Sequence, residues 1–141
     1  MNVLLIGSGG REHALAYKIS ESKKLDKLFI SPGNPGTASL GQNIKINLSD
    51  KTELLSFCKE NNIELIVIGP EKPLVDGTAD ILREVGYNVF GPNANAAQIE
   101  ASKAYAKNLM KKYSIPTADY FDFDQTQYED AKKYWKDLLS L

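Results

Sequence analysis

Met1-Asn-Val-Leu-Leu-Ile-Gly-Ser-Gly-Gly-Arg-Glu-His-Ala-Leu-Ala16 opens the chain, and its reading decides the fold. The apolar run Val3 to Ile6 stops at Gly7. A glycine-rich turn follows, and a helical pattern starts at Arg11. A strand, a glycine loop and a helix start in that order gather backbone N–H groups and the positive end of a helix dipole around an anion, most often a phosphate.

The dinucleotide fingerprint G-x-G-x-x-G is met only in part. Gly7 and Gly9 fit, but Glu12 stands where the third glycine would let the helix approach the strand. A dinucleotide site also needs an acid at the end of the next strand to hold a ribose hydroxyl. That strand, Lys27 to Ile30, runs instead into Ser31-Pro32-Gly33-Asn34. The pattern therefore argues against NAD or FAD and leaves a phosphate site at Gly7, Ser8, Gly9, Gly10, Arg11 and Glu12, with Arg11 as the cation. The same glycines also suit a plain tight turn. His13, the single histidine, reads as a packing residue, and no residue cluster supports a metal site.

Composition narrows the function classes. The chain has 141 residues, enough for one domain with a substantial core. A net charge of -1 disfavours nonspecific nucleic-acid or anionic-membrane binding, so a phosphate must be held locally. The single cysteine, Cys58, excludes an internal disulfide and fits a reducing, cytoplasmic setting. Neither a signal peptide nor a membrane span is expected from the apolar runs.

Strand and helix patterns alternate. Strands are expected at Val3–Ile6, Leu28–Ile30, Ile44–Ile46, Glu64–Ile68 and Asn88–Phe90. Helices are expected over 12–22, from an Asp50 or Ser49 cap to Asn61, and over 75–85. This alternation implies an α/β fold with a doubly wound parallel sheet. Three loops, Gly7–Arg11, Pro32–Gly36 and Gly69–Pro73, then follow strand C-termini, where open α/β sheets bind ligands. Their convergence favours a site over a turn alone, with Glu71 a candidate for hydroxyls or an amine. After Gly91-Pro92 the pattern changes. Helices are expected to about Ile99, over 102–113 and over 126–139, with a strand at Ala118–Phe123. Lys103, Lys107 and Lys111 share one helix face, which usually means a solvated face.

The ordered set Gly7-Ser-Gly-Gly-Arg-Glu-His-Ala14, Pro32-Gly-Asn34, Gly36-Thr37, Gly69-Pro-Glu71, Pro73-Leu74, Gly91-Pro92, Ala96-Ala-Gln98, Ser102-Lys-Ala104 and Ile115-Pro-Thr-Ala118 resembles the phosphoribosylamine–glycine ligase family of purine biosynthesis. The resemblance implies a Rossmann-like pre-ATP-grasp domain over 1–100, followed over 101–141 by the truncated start of an ATP-grasp domain. It implies ATP and Mg²⁺, with glycine and 5-phosphoribosylamine joined through an acyl phosphate. Gly9, Gly10 and Arg11 would hold the 5-phosphate. Pro32, Gly33, Asn34, Gly69, Pro70 and Glu71 would face the ribose or amine, and Lys103 would be an ATP-phosphate lysine.

The family's later glycine-rich stretch over ATP and its acidic Mg²⁺ ligands do not occur in this sequence. By this reading the chain holds half of a substrate site and one nucleotide contact, identifies no catalytic residue, and does not catalyse the ligation alone. A separate ATP-grasp chain is the partner that would complete it. A phosphosugar-binding module without catalysis is the competing reading. Tyr113, Phe121, Phe123 and Trp135 would then lie in an exposed apolar patch. Fluorescence titration with NADH is expected to show no saturable binding, because both dinucleotide determinants are missing.

Overall fold

In the computed structural model, which describes residues 1–139, the chain divides into two compact units, Met1–Ala101 and Ser102 onward. The first unit is built on five parallel strands in the order β3-β2-β1-β4-β5. These are β1 (Asn2–Gly7), β2 (Lys27–Pro32), β3 (Gln42–Asn43), β4 (Ile63–Ile68) and β5 (Asn88–Phe90). The order turns back on itself between β1 and β4, which makes the sheet doubly wound.

Central β1 shows why the sheet is covered on both faces. Its side chains alternate across the pleat. Leu4 and Ile6 enter one core with Phe29, Leu54, Cys58, Ile66, Ile68, Leu74 and Leu82, drawn partly from α2 (Lys51–Glu60), α3 (Glu71–Val75) and α4 (Thr78–Glu84). Val3 and Leu5 enter the other with Leu28, Ile30, Val67 and Ala16 of α1 (Gly10–Ser20). A strand buried on both faces carries consecutive apolar residues, as Val3 to Ile6 do. Cys58 is fully buried, and desolvation pushes its thiol up to about 11, so it acts as a small hydrophobe.

Local chemistry sets the helix starts. The Asp50 carboxylate accepts from the Thr52 and Glu53 amides and caps α2. Asp80 Oδ2 accepts from Ala94 N at the start of α5 (Ala94–Ala101). Arg83 of α4 donates to the carbonyls of Val89 and Gly91, tying the exit of β5 to that helix.

Three expectations are corrected. Ile44–Ile46 is not a strand: Gln42 and Asn43 pair with Phe29 and Ile30, after which the chain leaves the edge and packs Ile44 and Ile46 on the core. The helix expected over 75–85 is two helices, because Gly77 turns left-handed at φ +82° and ends the first. That first helix, Glu71–Val75, takes up residues expected to lie in a loop, with Pro73 tolerated in its first turn. Ala118–Phe123 is irregular: it has no neighbouring strand to complete a ladder among the described residues.

The second unit holds α6 (Lys103–Lys112), capped by Ser102, and α7 (Tyr128–Leu139). Lys107 Nζ donates to Thr117 Oγ1 and Ala118 O, each at 2.7 Å, and holds the irregular segment to α6. Phe121 and Tyr134 rings lie 4.3 Å apart between centroids. Tyr113, Phe121 and Trp135 are about 60% exposed and Phe123 is 37% exposed, as the sequence leads one to expect.

Leu4 lies on the central strand with no exposed surface. Leu4→Ala is expected to destabilise the first unit by about 3 kcal/mol. Urea unfolding monitored by circular dichroism should show this as a lower midpoint at unchanged slope.

Candidate functional site at the switch point of the sheet

The β1 and β4 termini flank the point where strand order reverses, the place where such sheets open a crevice. β1 ends at Gly7, whose φ of +140° favours glycine. The chain then passes through exposed Ser8 and extended Gly9 into α1. The first amides of a helix have no intrahelical acceptor, so Gly10 N and Arg11 N stand at the positive end of the α1 dipole. Gly9 N is committed elsewhere: it donates to Glu12 Oε2 at 2.7 Å.

Glu12 is 4% exposed and lies beneath the loop. A Cβ built on Gly7 would stand 2.1 Å from Glu12 Cγ, and one built on Gly69 would stand 2.4 Å from Glu12 Oε1. Two glycines on neighbouring strand ends thus make room for one acid. The dinucleotide pattern brings helix and strand together by a glycine on the helix; here the glycines are on the strands and the helix supplies the side chain. The structure therefore corrects the placement expected for Glu12: its carboxylate faces the protein, bonded to Gly9, and not the open face of the loop.

The second loop is tied to the first through Asn34. Asn34 Nδ2 donates to Ser8 O at 2.9 Å, and Gly33 N donates to Gly7 O at 3.1 Å. Asn34 Oδ1 accepts from Gly36 N and Thr37 N, closing the turn that follows. Thr37, fully buried, and Asn43 at the end of β3 complete the network: Thr37 Oγ1 donates to Asn43 Oδ1, and Asn43 Nδ2 donates to Asn34 O, each at 2.7 Å. The His13 ring lies on Gly36, where an added Cβ would be 2.3 Å from Cε1. Pro32 and Gly33 lead into this turn with Pro32 exposed.

The third loop joins through Gly69 N, which donates to Ile6 O at 3.0 Å. Pro70 precedes α3, and Glu71 is the first residue of that helix. Arg11 Nη2 is 3.8 Å from Glu71 Oε2, and Nη1 is 3.7 Å from Glu100 Oε1. The Arg11 side chain is 66% exposed, and contacts of this length and exposure contribute less than about 1 kcal/mol each. Arg11 is thus free to exchange these carboxylates for a phosphate.

The first unit accordingly brings together Gly7, Ser8, Gly9, Gly10, Arg11, Pro32, Gly33, Asn34, Gly69, Pro70 and Glu71 at the strand C-termini, with Glu12 beneath them. Lys103 is exposed at the start of α6 in the second unit. His13 packs as the sequence leads one to expect, on Gly36, but the joining role of Asn43 and the hydrogen-bonding role of Thr37 were not read from the sequence. The available signals were an Asn-x-Gly-Thr turn and an Asn at a strand end, both too common to point to a network. Among the described residues no group of three His, Cys, Asp or Glu is placed to hold a metal ion. No described helix is long and apolar enough to cross a membrane.

The family model described as phosphoribosylglycinamide synthetase, N domain, matches residues 1–100. Phosphoribosylamine–glycine ligase of Rhodopirellula baltica is 45% identical over 139 residues, covering 99% of this chain and 31% of the relative. The Mesorhizobium japonicum ligase is 51% identical over 134 residues, covering 95% and 31%. The solved phosphoribosylamine–glycine ligase of Thermotoga maritima superposes with a TM-score of 0.66 at 32% identity, covering 94% of this chain and 30% of that one. N5-carboxyaminoimidazole ribonucleotide synthetase from the same organism shares the fold, with a TM-score of 0.67 at 17% identity, covering 94% of this chain and 36% of that one. The chain spans about a third of the length of the ligases it matches.

Removing the Asn34 side chain strands two amides that share its oxygen. Asn34→Ala is expected to cost about 2 kcal/mol. Chemical denaturation should measure the loss, and amide exchange at Gly36 and Thr37 should accelerate with it.

Proposed function

Since the chain belongs to the phosphoribosylglycinamide synthetase family through its N domain, we propose that its three converging loops bind the phosphoribosyl group of 5-phosphoribosylamine and of the product glycinamide ribonucleotide. The observation that carries this reading is the pair of open amides, Gly10 and Arg11, beside a weakly held guanidinium at the sheet's switch point. Amides at a helix N-terminus and an arginine fork together match a phosphate in charge and in donor geometry. Gly7, Ser8 and Gly9 shape this side of the site, and Glu12 supports it from below.

The loop Pro32–Asn34 and the segment Gly69–Glu71 face the ribose and the amine in this proposal. Glu71 supplies the acceptor that an amine or hydroxyl would need, and Arg11, released to the phosphate, leaves its carboxylate available. Lys103 is the nucleotide-phosphate contact.

The reaction of the whole relatives is an ATP-dependent carbon–nitrogen ligation. Glycine gains a phosphate leaving group from ATP, and the ribosylamine nitrogen then displaces it. Such activation is needed because a free carboxylate resists attack by an amine. Among the described residues no three His, Cys, Asp or Glu stand together as a metal cluster, and no step through Mg²⁺ is assigned to them. In this reading the residues of this chain bind and orient the phosphosugar. In this proposal the ATP-grasp body of the ligases completes the site, and the setting is cytoplasmic.

Calorimetric titration of the purified chain with glycinamide ribonucleotide tests the reading. Saturable binding is expected, weakened at least about tenfold in Arg11→Ala, where a charge-assisted contact to phosphate is lost. Absence of binding, or binding indifferent to Arg11, would overturn it.

A further inference from the structure

The Glu12 side chain spans the ends of two strands. Its Cγ lies against Gly7 at the end of β1, its Oε1 against Gly69 after β4, and its Oε2 on Gly9 N. We propose that Glu12 is a positioning residue that makes the phosphate-side loop and the Gly69–Glu71 segment one mechanical unit, with Gly69 as its receptor. A change at Gly69 then weakens phosphate binding although Gly69 touches no phosphate. This inference rests on the phosphoribosyl reading of the site and adds to it the residue that couples its two halves.

Three features carry the proposal. First, the carboxylate is almost wholly buried and faces inward, so it cannot serve as a ligand for an anion, which it would also repel. Second, its hydrogen bond takes the amide of Gly9, the residue that precedes α1, and so fixes the direction in which the free amides of Gly10 and Arg11 point. A carboxylate-to-amide bond is charge-assisted and stronger than a neutral one. Third, the space for the carboxylate exists only because positions 7 and 69 lack a Cβ. At Gly69 the Cβ of an alanine would have to displace Oε1, and Oε2 would leave Gly9 with it.

The backbone bond from Gly69 N to Ile6 O already joins these strand ends, but it lies within the sheet and does not reach the loop. Glu12 is the contact that carries a displacement from the β4 side to the amides of the β1 side. His13, the next residue, rests on Gly36 of the second loop, so adjacent residues of α1 address different loops.

The test uses the chain with Glu12→Ala, Glu12→Gln, Gly69→Ala and the Glu12→Ala/Gly69→Ala pair. Two quantities are read: hydrogen exchange of the Gly9 amide without ligand, and calorimetric affinity for glycinamide ribonucleotide. Glu12→Ala and Gly69→Ala are each expected to speed Gly9 exchange and weaken binding about tenfold, the effect of one buried hydrogen bond. Glu12→Gln keeps the acceptor and is expected to stay within about threefold of the parent in both. The double variant is expected to be no weaker than Glu12→Ala, because both substitutions remove the same contact. Additive losses in the double variant, or unchanged Gly9 exchange in Gly69→Ala, would overturn the proposal. A parent chain that binds no glycinamide ribonucleotide would end the phosphoribosyl reading, while Gly9 exchange would still decide the coupling.

Discussion

A single buried carboxylate organises the loops at the switch point of the sheet. Glu12 fits between Gly7, at the end of β1, and Gly69, just after β4, and it takes the amide of Gly9, the residue that precedes α1. Remove the side chain and the strand ends keep their sheet hydrogen bonds, but the loop above them loses its fixed direction. Put a Cβ on either glycine and the carboxylate has no place. The composition of the loop follows from this constraint: glycine at 7 and 69 for space, and an acid at 12 to fill it.

The electrostatics divide along the same line. The inward acid satisfies one amide and leaves the next two open at the positive end of a helix. Arg11, one residue earlier, points outward and shares weak contacts with Glu71 and Glu100. Successive residues on a helix diverge by about 100°, so Arg11, Glu12 and His13 reach three different neighbours from one turn. An anion bound there would be held by this local arrangement, consistent with a net charge of -1 over the whole chain.

The second unit rests on different physics. Its two helices bury little: no residue of α6 or α7 is fully shielded, and several aromatic side chains stand in solvent. Its order comes from short-range contacts, the Ser102 cap, the Lys107 bonds to 117 and 118, and the tilted ring contact of Phe121 with Tyr134. The ligases that the whole chain resembles are about three times as long, and apolar surface of this kind is what a larger body would cover.

The sequence by itself determined the parallel sheet and the end of it at which the three loops gather. Runs such as Val3–Ile6 and Leu65–Ile68 are apolar without a break because both faces are covered, and the Gly and Pro that follow them mark the strand ends. It also determined that Glu12 breaks the dinucleotide pattern, since that needs only spacing. It misplaced Ile44–Ile46, whose apolar residues serve the core without a strand, and it ran one helix through Gly77, where the backbone turns left-handed. What only the tertiary structure decided is the direction of each side chain: that Glu12 turns inward to Gly69, that His13 lies on Gly36, and that Asn43 closes the Asn34 turn. The partners in these contacts are 57, 23 and 9 positions apart in the chain, and periodicity is blind to them, because strand order and not sequence order makes them neighbours.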